Sequence, residues 1–94
     1  MKVIKRDGHT VDFDRMKIVV AIQKANAAVD PEYRIDQERI DAIADAVGAL
    51  HRPRLLVEDI QDMVERKLME SGKYELSKAY ILYREKRSAL RRVR

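Results

Sequence analysis

The N-terminus contains the signal that most constrains this fold, an Asp–Gly pair between two short strand-like runs. The runs cover residues 2–6 and 10–13, and the pair is Asp7 and Gly8. An Asp–Gly pair in this setting is the strongest short-range indicator of a β-hairpin, because both residues tolerate the positive φ angles of a two-residue primed turn. The sequence therefore predicts a hairpin over about residues 2–13, with its bend at Asp7 and Gly8.

Three cations are predicted to converge near this hairpin. Side chains alternate along a strand, so Lys5 shares a side with Val3 and Arg6 lies on the other side. Lys17 follows in the first turn of a predicted helix. One interpretation is a polyanion site, in which Arg6 makes forked contacts to phosphate and the lysines act as point charges. The other is a set of solvated residues, with lysine on an edge strand discouraging aggregation. The charge pattern alone leaves both interpretations open.

A triphosphate would suit such a set of cations. Charge-assisted hydrogen bonds contribute about 1.5–3 kcal/mol each, so three of them supply much of the roughly 8 kcal/mol of a micromolar ligand. An adenine would also need an apolar slot, which the helix ends near Ile18, Ile22 and Val57 can provide. Tyr80 and Tyr83 are three residues apart on the last helix, and we interpret them as packing residues rather than base-stacking platforms.

Four helices are predicted from apolar residues at helical spacing and from residues that start or stop helices. Asp14 and Asp36 are placed as N-terminal caps, whereas Pro31 and Gly72 mark stops. Residues 51–54 are predicted to form a loop. The predicted helices cover about residues 15–28, 37–50, 58–70 and 74–92.

These elements predict a mostly helical α+β fold, a β-hairpin lying over one end of a four-helix bundle. The 94 residues form a single domain, 1–94. There is no apolar run near the ~20 residues that span a bilayer, so no membrane partner is expected. The chain has no cysteine, which excludes disulfides and cysteine-ligated zinc and fits a cytoplasmic location.

No catalytic or metal site is expected. His9 and His51 are the only histidines, and neither has a second strong ligand at metal-binding spacing. Ser71 and Ser88 have no adjacent base that the sequence identifies, and the Gly-rich phosphate loop ending in Gly-Lys-Ser or Gly-Lys-Thr is absent. The chain is therefore expected to be non-enzymatic on its own.

Two other binding functions fit a basic, helical chain with a net charge of +4. One is a small nucleic-acid-binding module that uses Arg87, Arg91 and Arg92 of the last helix, and it predicts steep salt dependence. The other is a protein-assembly module whose oligomers ignore nucleotide. Nucleic acid is not favoured, because acids are interspersed with the bases and because cations near a helix C-terminus already complement its dipole.

Several blocks of the sequence resemble the ATP-cone domain. They occur in the family's order and cover nearly the whole chain. The blocks are Val3-Ile4-Lys5-Arg6-Asp7-Gly8, Phe13-Asp14, Lys17-Ile18, Val57-Glu58-Asp59-Ile60-Gln61-Asp62-Met63-Val64-Glu65, and Lys78-Ala79-Tyr80-Ile81-Leu82-Tyr83-Arg84 with Arg87.

The resemblance implies the same fold and a regulatory function. ATP cones usually lie at the N-terminus of ribonucleotide reductases and bind ATP or dATP to set overall activity. ATP generally permits the active assembly, and dATP drives an inhibited oligomer. The implied partners are an adenine nucleotide with Mg²⁺, a reductase catalytic domain or subunit, and other copies in a nucleotide-dependent homo-oligomer. No zinc ribbon precedes the cone and no reductase barrel follows it, so we expect an excised or free-standing regulatory domain.

The resemblance also implies the residues that bind the phosphates. Contacts from the hairpin and the first helix are expected from Val3, Lys5, Arg6 and Lys17. Arg84 is expected to approach a phosphate, or a second nucleotide as in members that bind two.

The implied neighbours of the base or sugar are Ile18, Ile22, Val57 and Gln61. Val57 departs from the family pattern, because many members have a hydroxyl residue there that can bond the base. Base recognition by this position is therefore expected to differ in this chain.

Overall fold

The computed structural model describes the backbone of residues 1–92 and the side chains of residues 1–87. Over that range the fold has four α-helices and a small three-stranded sheet, which confirms the predicted, mostly helical α+β class. A short 3₁₀ turn, Pro31–Tyr33, joins the first two helices. The strands and α-helices are β1 (Lys2–Ile4), β2 (Thr10–Asp12), α1 (Arg15–Ala27), α2 (Gln37–Gly48), β3 (Arg54–Leu56), α3 (Val57–Glu70) and α4 (Tyr74–Arg92).

The hairpin forms, but its bend differs from the predicted one. β1 and β2 pair antiparallel, and the loop between them is closed by the Lys5 amide donating to the His9 carbonyl at 2.7 Å. Gly8 has a φ of 91°, whereas Asp7 does not have a positive φ. The predicted two-residue primed turn is therefore wrong. Asp7 instead accepts the His9 backbone amide on its carboxylate at 3.0 Å, which stabilises a longer loop with Gly8 as its left-handed residue.

A third strand, which the sequence interpretation did not foresee, completes the sheet. β3 runs parallel to β1, and the strand order is β2-β1-β3. Leu55 lies beside Val3, and both side chains are buried on the inner face. The loop predicted over residues 51–54 is thus wrong at Arg54. Parallel strands are joined by long crossovers, here α1 and α2, so no local signal marks the pairing.

Local capping signals set two of the helix starts. Asp14 and Asp36 accept backbone amides of the first turn at 3.0 and 2.8 Å, as predicted. α3 begins at Val57, directly after β3 and without a side-chain cap. α2 ends at Gly48, before the predicted residue 50, because the chain leaves the helix and reaches His51 with a φ of 51°.

The core lies between the inner face of the sheet and the helices. α1 packs against α2 and α4, and α3 packs against α4. Arg15 ties α1 to α2 through the carboxylates of Asp41 at 3.3 Å and Asp45 at 2.9 Å. The largest fully buried side chains are Val19, Ile22, Ile40, Val47, Val64, Leu68 and Leu76. The side chains of Ser88, Arg91 and Arg92, which the sequence analysis considered, lie outside the described residues.

Candidate nucleotide-binding site

A cavity of about 480 Å³ opens beside the sheet, between the start of α1, the start of α3 and the middle of α4. This volume lies within the range of small-molecule sites in proteins. Its walls are largely apolar, with charged groups among them. They are formed by Val3, Lys5, Val11, Asp12, Phe13, Asp14, Met16, Lys17, Ile18, Val20, Ala21, Val57, Ile60, Gln61, Tyr80, Tyr83, Arg84 and Arg87.

The periodicity of each element explains how it reaches the cavity. Val3 and Lys5 lie two apart along the hairpin, so both face the same side. Val57 and Gln61 lie four apart on α3 and share a helix face. On α4 the same rule aligns Tyr80 with Arg84. The site is therefore assembled from short stretches that are far apart in the sequence.

Most of the predicted contact residues line this cavity. The hairpin and α1 bring Lys5 and Lys17 to it, as the sequence interpretation required. The full set of predicted residues in the walls is Val3, Lys5, Lys17, Ile18, Val57, Gln61 and Arg84.

Two predicted contact residues, Ile22 and Arg6, do not line the cavity. Ile22 is completely buried in the core, one turn beyond Ile18 on α1. Arg6 lies in the loop that follows β1, and its Nε is 3.1 Å from the Glu58 carboxylate at the start of α3. Arg6 is exposed beside the site rather than in it.

Several wall residues were not among the predicted contacts. Tyr80 and Tyr83 were interpreted as packing residues, and the structure places both at the cavity as well. Tyr80 is 4% exposed, and burial raises the pKa of its phenol to about 12. Arg87 follows one turn after Tyr83 on the same helix. A stripe of Tyr, Tyr, Arg and Arg at helical spacing on α4 was the available signal.

The acids in the cavity wall are engaged outside it. Asp14 caps α1 by accepting the Met16 amide at 3.0 Å. Asp12 pairs with Lys2, and the hydrogen bond from that ammonium group lowers the pKa of the Asp12 carboxyl. Lys5 and Lys17 lie in the same part of the wall as these acids. Cations and acids are thus interspersed at the hairpin end of the cavity.

Arg84 has a different environment from the lysines. Its side chain is only 18% exposed, and its Nη atoms lie 3.5 Å from an Asp62 oxygen and 3.3 Å from a Glu65 oxygen. Nη1 also donates to the Gln61 side-chain oxygen at 3.4 Å. Two carboxylates thus offset the charge of Arg84.

In the described part of the chain, no group of three or more His, Asp or Glu side chains is placed to hold a metal ion. No described helix is long and apolar enough to cross a membrane.

A hairpin end with cations beside a largely apolar cavity suits a ligand with an anionic part and an apolar part, as a nucleotide has. The family model described as the ATP cone domain matches residues 1–89, and the chain belongs to this ATP-cone family. ATP-cone domains bind adenine nucleotides and have a regulatory function.

The curated relatives are ribonucleotide reductases. The chain is 39% identical to the ribonucleoside-diphosphate reductase subunit alpha of Chlamydia muridarum, over 97% of this chain and 10% of that protein. It is 44% identical to the vitamin B12-dependent ribonucleoside-diphosphate reductase of Thermoplasma acidophilum, over 96% and 12%. It is 36% identical to the anaerobic ribonucleoside-triphosphate reductase of Haemophilus influenzae, over 98% and 13%. The chain therefore spans about a tenth of the length of these relatives.

Proposed function

We propose that this chain is an allosteric domain that binds ATP and dATP and thereby controls the overall activity and oligomerisation of a ribonucleotide reductase. The observation that carries the proposal is the cavity in which Lys5 and Lys17 stand beside apolar walls. The match to the ATP-cone family over residues 1–89 supports the adenine nucleotide as its occupant. The domain itself is proposed to have no catalytic role.

The triphosphate is proposed to lie at the hairpin end of the cavity. Lys5 and Lys17 belong to this end, and charge-assisted hydrogen bonds from such groups contribute about 1.5–3 kcal/mol each. Arg6 can join them only by leaving Glu58, which costs little because the ion pair is exposed. Mg²⁺ is proposed to bind through the phosphates and water, in keeping with its preference for substrate phosphates over all-protein sites.

The base and sugar are proposed to lie deeper, between α1, α3 and α4. Ile18, Val57 and Ile60 provide apolar surface there, and Tyr83 provides an aromatic ring. Val57 has no hydroxyl group, so it contributes only apolar contact to the base. Gln61 and Arg84 add polar groups to this part of the wall.

Regulation follows if ATP and dATP favour different assemblies of the whole reductase. A ligand shifts an equilibrium only through its differential affinity for the two states, so the domain must contact its partner differently with each nucleotide bound. The proposed partners are the catalytic part of the reductase and other copies of the same chain, in the cytoplasm.

Calorimetric titration with ATP and dATP tests the proposed site. We expect saturable binding to the parent chain and a loss of at least tenfold in affinity for the double variant Lys5→Ala/Lys17→Ala, since two charge-assisted bonds are removed. The matched control is Lys24→Ala/Lys78→Ala, which removes two exposed lysines of α1 and α4 that do not line the cavity. Equal affinity of the parent and the Lys5/Lys17 variant would mean that the assigned site is wrong.

A further inference from the structure

Gln61 is a polar side chain in a mostly apolar part of the cavity wall. It lies one turn after Val57 on α3 and is half-buried. A glutamine amide has an oxygen that accepts hydrogen bonds and an NH₂ group that donates them. An unrestrained glutamine can turn its amide over and present either group, so it discriminates poorly between donors and acceptors on a ligand.

Arg84 removes this freedom. Its Nη1 lies 3.4 Å from the Gln61 side-chain oxygen. A guanidinium group has only donors and no acceptor, so the amide oxygen must be the atom that faces it. The reverse orientation would place two donors against each other. The NH₂ group of Gln61 is consequently the part of the amide left for the cavity.

Arg84 is itself held in place by α3. The Asp62 and Glu65 carboxylates lie within 3.5 Å of its Nη atoms, and its side chain is 18% exposed. A partly buried guanidinium with two carboxylate partners has little freedom to move, because it would have to give up both ion pairs to leave α3. Its location thus favours a role in orienting Gln61 over a role in binding phosphate.

Gln61 and Arg84 both bring hydrogen-bond donors to this part of the molecule. The Nε of Arg84 is buried and has no acceptor among the described residues. Gln61 adds an NH₂ group. The Gln61 NH₂ group therefore suits a ligand that supplies an acceptor at this end of the cavity. Phosphate is disfavoured here, because Asp62 and Glu65 stand directly behind Arg84.

We propose that Arg84 is a positioning residue that fixes the Gln61 amide, so that its NH₂ group donates to an acceptor on the nucleoside half of the bound nucleotide. The acceptor is a ring nitrogen of adenine or an oxygen of the ribose. The exocyclic amino group of adenine, which is a donor, is not recognised by Gln61. This inference rests on the proposed nucleotide-binding function and specifies how the same site recognises its ligand.

Calorimetry on Gln61 variants tests the donor. Gln61→Met deletes the NH₂ group at similar size, and we expect it to bind ATP about tenfold more weakly, as the loss of one hydrogen bond predicts. Gln61→Glu replaces the donor by an acceptor and should weaken binding further. Gln23→Glu is the matched control on α1, outside the cavity wall, and should bind as the parent does. A Gln61→Met variant with parental affinity overturns the inference.

Nucleotide analogues identify the acceptor. The 1-deaza, 3-deaza and 7-deaza forms of ATP each lack one ring acceptor, and the 2′-deoxy and 3′-deoxy forms each lack one ribose oxygen. We expect one analogue to bind the parent more weakly than ATP does. The same analogue should bind Gln61→Met as tightly as ATP does. If the affinity of every analogue relative to ATP is the same in both proteins, Gln61 donates to none of these atoms and the inference fails.

The orienting role of Arg84 is tested without any ligand. We expect the ¹⁵N relaxation of the Gln61 side-chain amide to indicate a rigid group in the parent and a mobile one in Arg84→Met. Arg84→Lys should restore part of the rigidity, since an ammonium group also requires the amide oxygen to face it. Equal rigidity in the parent and Arg84→Met would overturn this role. A parent that does not bind ATP, by contrast, would refute the proposed function while leaving the relaxation result intact.

Discussion

The buried phenol of Tyr80 is predicted to make the free energy of unfolding depend on pH in the alkaline range. Burial raises its pKa to about 12, whereas an unfolded tyrosine loses its proton near pH 10. The group stabilises the fold fully below about pH 10, and that contribution is lost as the pH rises towards 12, by about 1.4 kcal/mol for each pH unit. Tyr80→Phe removes this part of the decline. Chemical denaturation of both proteins between about pH 9 and 12 measures it, and an equally steep decline in the variant would contradict the assignment.

Single-residue roles were predictable where they depend on local periodicity. Strand alternation assigned Lys5 to the same side as Val3 and Arg6 to the other, and the cavity lining agrees with this assignment. The partners of individual charges were not predictable. The contact between Arg6 and Glu58, and that between Arg84 and Glu65, join segments far apart in the sequence, and only the packed structure brings them together.

The N-terminal cap of α1 is predicted to contribute to the free energy of unfolding. Asp14 accepts a first-turn amide at 3.0 Å, and loss of such a cap typically costs about 1 kcal/mol. We expect Asp14→Ala to lower the free energy of unfolding by this amount, and Asp36→Ala at α2 to do the same. Asp14→Asn keeps an acceptor and should remain within a few tenths of a kcal/mol of the parent. Urea denaturation measures all three, and a cost for Asp14→Asn equal to that of Asp14→Ala would show that the charge matters rather than the cap.

Elements with local start and stop signals were predictable, and elements defined by distant pairing were not. The capping aspartates sit immediately before their helices, so α1 and α2 begin where the sequence indicates. β3 comprises Arg54–Leu56, and it is defined by the burial of Leu55 against Val3. This contact requires α1 and α2 to bring the two strands together. The turn after β1 is an exception, because its determinant is local: the Asp7 carboxylate accepts the His9 amide and favours a loop longer than two residues.

At the scale of the whole molecule, the cavity depends on the relative placement of every major element. The sheet, α1, α3 and α4 each contribute a wall, while α2 supports α1 from behind through Arg15. The sequence predicted the polar hairpin end of this site, because its residues are close in the chain. The position of the α4 wall, with Tyr83 and Arg87, could not be predicted, because it depends on how α4 packs against α1.

Because the site joins all these elements, nucleotide binding should stabilise the fold as a unit. A ligand that binds only the native state adds about 2.7 kcal/mol to the free energy of unfolding at a concentration one hundred times its dissociation constant. We expect the unfolding midpoint of the parent to rise with ATP concentration and that of Lys5→Ala/Lys17→Ala to rise much less over the same range. Thermal and urea denaturation across an ATP series measure both.

In the same experiment, inorganic triphosphate distinguishes the phosphate-binding part of the proposed site from the nucleoside-binding part. It provides the charges that Lys5 and Lys17 are proposed to bind, but it has no base or sugar to cover the apolar walls formed by Ile18, Val57 and Ile60. Burial of apolar surface contributes roughly 25 cal/mol for each Å², so ATP should stabilise the fold clearly more than inorganic triphosphate at equal concentration. Equal stabilisation by both ligands would restrict the site to the phosphates and exclude the cavity as the place of the nucleoside.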